Sequence, residues 1–104
     1  MIKAVICSCV PVEKQEEYFK FIREELKPFH EANGCRAYNI FREVSRKNDK
    51  DIVAPDQLVT EVLFDDVAGF QKFRELFDNE PLKSMMKRFF SFKQITNGHY
   101  ISVI

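Results

Sequence analysis

A chain of 104 residues has room for one hydrophobic core, so a single domain over residues 1–104 is expected. Sixteen basic residues balance sixteen acidic ones, which removes any electrostatic reason to expect nucleic acid or an anionic membrane as partner. The three Cys form no paired framework, the first residues lack the basic region of a signal peptide, and no apolar run approaches the ~20 residues of a membrane span; a reducing cytoplasm is the expected location.

Residues 2–10, IKAVICSCV, are rich in β-formers and stop at Pro11, which suits the end of a strand. From Glu13 the period changes. Phe19, Ile22, Leu26 and Phe29 recur three and four apart, an amphipathic helix that Tyr18 and Phe21 widen. Pro28 removes a backbone donor and should kink or tighten the last turns, and Asn33–Gly34 supplies a left-handed stop. A second strand is expected from Cys35 to Val44, followed by an exposed hairpin loop over the polar residues 45–56. QLVTEVLF, 57–64, alternates as a third strand, and Asp65–Asp66 can cap the next helix, with Phe70, Phe73 and Phe77 as its stripe. Asn79 and Pro81 restart helix through Leu82, Met85, Met86 and Phe89, and HYISVI closes the chain as a strand.

The element order is β-α-β-β-α-β, an α+β, ferredoxin-like arrangement with an antiparallel sheet ordered 4-1-3-2 and both helices on one face. VICSCV and LVTEVLF carry apolar residues at both parities, so both sheet faces are expected to be covered. Eleven Phe without a Trp add more greasy surface than so small a domain hides by itself. Two sheets packed face to face in a homodimer satisfy both observations.

Within that layout, NGCRAYNIFR, VLFDDVAGFQKF and NEPLKSMMKRF resemble the antibiotic biosynthesis monooxygenase-like family of dimeric α/β barrels. The resemblance implies a cytoplasmic homodimer with a pocket in each subunit between sheet and helices. It also implies oxidation of small aromatic or quinol-type substrates by molecular oxygen, with no metal, flavin or other cofactor. Stress-responsive barrels that bind small ligands without catalysis share the layout, as do small haem-degrading enzymes. The haem-degrading set is an Asn on strand one, a Trp on the second long helix and a His ligand. The matching positions hold Cys7, Phe73 and Met86, so that chemistry is not expected.

The candidate catalytic residues are Tyr38, His30 and Arg36. Tyr38 and Arg36 share a parity on strand two, where a phenol and a guanidinium could stabilise charge on a substrate oxygen; the same Arg could equally protect an edge strand. His30 is a candidate base near neutral pH, or a cation that suits the helix C-terminus. The candidate pocket lining is Phe70, Phe73, Phe77, Met85, Met86 and Cys7, soft surfaces that serve equally as core. Cys7 and Cys9 point to one face of their strand and read as buried small hydrophobes, without enough ligands nearby for a metal site. His99 is expected at an exposed turn.

Overall fold

The structure is a computed structural model that describes residues 1–102; Val103 and Ile104, the end of the expected last strand, lie outside them. Strand β1 (Ile2–Cys9) runs through the middle of one sheet. It pairs antiparallel with β3 (Lys50–Phe64), Ile2 opposite Phe64 and Cys9 opposite Gln57. On its other side lies β4 (Gln94–Ser102), with Ile2 opposite Ser102. Strand β2 (Cys35–Lys47) flanks β3, giving the order β2-β3-β1-β4, the expected 4-1-3-2 read from its other edge.

Alternation sorts the two faces. Ala4 and Ser8 of β1 and Leu58, Thr60, Val62 and Phe64 of β3 are buried beneath the helices. Lys3, Val5, Cys7 and Cys9 point the other way, where Lys3 pairs with Glu61 at 3.1 Å. That face carries no helix.

The first helical stretch is not uniform. α1 (Val12–Phe21) passes into a π-helical turn, Ile22–Leu26, and then into α2 (Lys27–Ala32). In the wide turn the Lys27 N–H donates to the Ile22 carbonyl, five residues back. Pro28 has no N–H to offer the Glu24 carbonyl, and in place of the expected kink or tightening the helix widens. One extra residue rotates everything beyond it by about 100°. Beyond the turn the buried position is therefore His30 rather than the expected Phe29, which is half-buried; before it Tyr18 and Phe21 are buried while Phe19 is half-buried, and Ile22 and Leu26 are buried as expected. The wide turn is what aims His30 inward.

Gly34 ends α2 with φ +99°, a backbone that disfavours side chains. The expected exposed loop at 45–56 is instead strand. β2 and β3 continue as a ladder to Lys47 and Lys50, joined by Asn48 and Asp49 at φ 52° and 60°. Two successive left-handed residues make the tight hairpin turn, and Asn and Asp tolerate that conformation best after Gly. Their polar composition concealed the strands.

α3 (Val67–Arg74) begins as expected at Asp66, whose Oδ1 accepts the Gly69 N–H at 2.7 Å. A short 3-10 turn, Glu75–Asp78, leads to α4 (Leu82–Phe92). Phe92 stacks on Phe21 at 5.9 Å and meets the edge of Tyr18 at 5.6 Å, which seals α4 to α1.

Beside this seam, Lys93 lies over the Phe89 ring at 3.5 Å and donates to the Tyr18 hydroxyl at 2.9 Å. Burial pulls its pKa down from 10.5 to about 7. The unfolded chain thus keeps a proton that the folded one releases, and stability should rise as pH climbs from 7 toward 10.5. The aromatic face and the hydroxyl offset part of the desolvation, so a gain of about 1–2 kcal/mol between pH 7 and 9 is expected in urea unfolding. In Lys93→Met that slope should vanish.

Candidate functional site

Between the sheet and helices α2, α3 and α4 lies a pocket of about 300 Å³. Ala4, Val62 and Phe64 form its floor, Phe70 and Phe73 one wall, and Met86 and Phe89 another. Burial is graded along it. His30, Tyr38 and Phe73, at 6%, 3% and 3% exposure, close the deep end. Arg74, Phe77, Phe90 and Tyr100, all exposed, form the mouth.

The wide helical turn and the second strand converge on the deep end. The His30 and Tyr38 rings meet edge to face with centroids 5.0 Å apart, and Phe73 lies against His30 at 4.5 Å. His30 Nδ1 stands 2.8 Å from the Leu26 carbonyl, which can only accept, so Nδ1 carries the proton and Nε2 keeps its lone pair. Burial among rings lowers the His30 pKa from 6.5 to about 4, the Leu26 bond offsetting a little of this. His30 is therefore neutral at physiological pH. The expectation of a charged residue favouring the helix C-terminus is corrected, because water is excluded from that position. Burial likewise pushes the Tyr38 phenol well above its ordinary pKa and keeps it a donor. The deep end thus pairs a neutral acceptor with a neutral donor.

Arg36 does not join them. Cys35 pairs with Phe64 and Ala37 with Leu63, so Arg36 occupies a bulge that breaks its parity with Tyr38. Its side chain is 62% exposed and pairs with Asp65 at 3.3 Å, away from the pocket. Cys7 is also corrected, since an odd position on β1 faces the uncovered side of the sheet. Met85 packs against the core, whereas its neighbour Met86 lines the pocket. Phe70, Phe73 and Phe77 line it. Of the thiols, Cys35 is buried; Cys7 and Cys9 are only half-buried, contrary to their reading as core. His99, opposite Val5 on β4, reaches the rim. Among the described residues no cluster of His, Cys, Asp and Glu is arranged to hold a metal, and no helix is long and apolar enough to cross a membrane.

Two site residues escaped the sequence reading. Arg74 follows Phe70 by one helical turn and lies over its ring at 5.7 Å; that spacing was the available signal. Tyr100, opposite Ala4 on β4, meets Phe70 at 4.9 Å.

Fold and site together define a ferredoxin-like α+β domain with an aromatic-walled pocket held between its sheet and its helices. No family model matches the chain, and no curated protein matches it by sequence. Solved structures do share the fold. SnoaB from Streptomyces nogalater, a cofactor-independent oxygenase, aligns with TM-score 0.68 and 13% identity over 98% of this chain and 91% of that one. An antibiotic biosynthesis monooxygenase aligns with TM-score 0.62 and 15% identity over 100% and 99% of the two chains. A dimeric ferredoxin-like protein from an uncultured marine organism aligns with TM-score 0.67 and 17% identity over 99% and 93%. Antibiotic biosynthesis monooxygenases are thus among the proteins built on this fold; at such identities the likeness is one of architecture.

Proposed function

We propose that the protein is a cytoplasmic homodimer of the antibiotic biosynthesis monooxygenase-like family that binds a small phenol or quinol and oxidises it with molecular oxygen, without metal or flavin. The observation that carries this reading is the neutral His30–Tyr38 pair at the closed end of an aromatic pocket. A flat ring slides between Phe and Met surfaces. Its hydroxyl donates to His30 Nε2, and Tyr38 donates to an oxygen that gains negative charge as the ring is oxidised. For a phenol the balance is one substrate and one oxygen molecule giving a quinone and water. One oxygen atom enters the ring and the other leaves as water. An electron-rich ring supplies the electrons itself, so the protein's part is to bind, orient and keep water out.

The homodimer is supported by the dimeric neighbour and by the uncovered sheet face, where Val5, Cys7, Val59 and Leu63 lie beside the exposed Phe41. A second reading, a barrel that binds such ligands without turning them over, is favoured by the burial of His30, which lowers its pKa to about 4 and makes it a weak base.

Oxygen uptake with a panel of hydroquinols separates the two. Uptake with at least one substrate is expected, with kcat falling about 100-fold in Tyr38→Phe because the lost donor acts on developing charge. His30→Ala should lower it as well. Ligands that raise Tm while no hydroquinol consumes oxygen would establish the binding module instead.

A further inference from the structure

We propose that the pocket selects an aromatic carboxylate, its hydroxyl end buried against His30 and Tyr38 and its carboxylate held at the mouth by Arg74. The inference rests on the pocket being the ligand site and adds the chemical class of the ligand.

Polarity is laid out along the pocket in one direction. The closed end is lined by the Tyr38 phenol and the His30 imidazole, both neutral. A carboxylate pushed there would shed its water for a single neutral donor and would face the repelling Nε2 lone pair. A neutral hydroxyl satisfies both groups at once, accepting from Tyr38 while donating to Nε2.

At the open end the lining carries, among the described residues, one formal charge, the Arg74 guanidinium. It lies over the Phe70 ring, 5.7 Å from its centroid, beside the wall that would receive the ligand. Among the described residues, the ion pairs are Lys3–Glu61, Arg36–Asp65, Arg46–Asp49 and Arg88–Glu25, so Arg74 has no acidic partner. A guanidinium outside those pairs presents a planar fork of donors that matches a carboxylate, and an exposed position spares the anion full desolvation. Phe70 and Tyr100, 4.9 Å apart, flank the same spot with ring surface for the aromatic part. A cationic ligand would be repelled at this entrance.

The test uses a hydroxynaphthoate with hydroxyl and carboxylate at opposite ends of its ring, and the methyl ester of the same compound. Dissociation constants come from calorimetric titration of the intact protein. The acid should bind about 10-fold more tightly than the ester, the contribution of one charge-assisted contact near water. In Arg74→Gln that preference should disappear through weaker binding of the acid alone. Unchanged ester affinity would show that the variant is folded and its pocket intact. Tyr38→Phe should weaken acid and ester alike. Equal binding of acid and ester by the wild type would overturn the proposal while leaving the pocket reading standing, as would a preference that survives in Arg74→Gln. If neither compound bound, the pocket reading would fall, and the proposal with it.

Discussion

Phe73→Ala is expected to lower the unfolding free energy by about 3–5 kcal/mol, the range for deleting a buried aromatic ring whose neighbours cannot collapse onto the space. At 3% exposure, Phe73 meets His30 at 4.5 Å, Phe64 at 5.3 Å, Phe77 at 5.8 Å and Phe29 at 6.4 Å. These partners come from α2, β3 and the turn after α3, so no single element can shift to fill the hole. Binding of any flat ligand should weaken with it, because the same ring forms the closed end of the pocket. Phe90→Ala, at a rim position 51% exposed, should cost less than about 1 kcal/mol. Urea midpoints of the two variants make the comparison. Equal losses would mean that the closed end is no better packed than the rim.

The second large effect is set by pH. The His30 pKa stands at 6.5 when the chain is unfolded and at about 4 when it is folded. Between those values the unfolded state takes up a proton that the folded state refuses, so acidification favours unfolding. The stabilisation is whole above pH 6.5, is lost progressively as pH falls, and the loss levels off near pH 4 at about 3 kcal/mol. His30→Asn retains a donor for the Leu26 carbonyl but does not titrate, and its stability profile should lack this component. Chemical unfolding at pH 7, 5.5 and 4 measures both proteins. Parallel profiles would place the acid sensitivity elsewhere.

Most of the architecture was legible before any coordinates. Alternation in QLVTEVLF, the stop at Asn33–Gly34 and the Asp66 cap each follow from local rules, and together they led to the sheet order that β1, β2, β3 and β4 adopt. The aromatic wall was also legible, since Phe70, Phe73 and Phe77 recur at helical spacing. What failed depended on insertions of single residues. An extra residue in the turn before Pro28 exchanged Phe29 for His30 on the buried side. Another at Arg36 separated that guanidinium from Tyr38. Periodicity reads only regular elements, and a bulge changes the face of every later side chain without altering composition. The tip of the β2–β3 hairpin failed for a different reason. Its ladder is made of backbone hydrogen bonds, and exposed charged side chains conceal those from a pattern of hydrophobicity.

The two ladders flanking the centre of the sheet differ in how far apart their partners lie along the chain. β2 and β3 are clasped by two residues, Asn48 and Asp49, so their zipper closes with almost no loop to order. β1 and β4 bring Ile2 against Ser102, the beginning of the described chain against its end. During folding, the hairpin is therefore the natural early partner and the β4 seam the late one, since distant contacts are rewarded only after the intervening chain has been confined. Until that seam closes, the flank of β1 offers unpaired amides and carbonyls beside Val5 and Ile6 to any other chain within reach. Slow joining of the ends should make refolding yield fall as protein concentration rises, with the danger set by the last strand rather than by the long exposed arm.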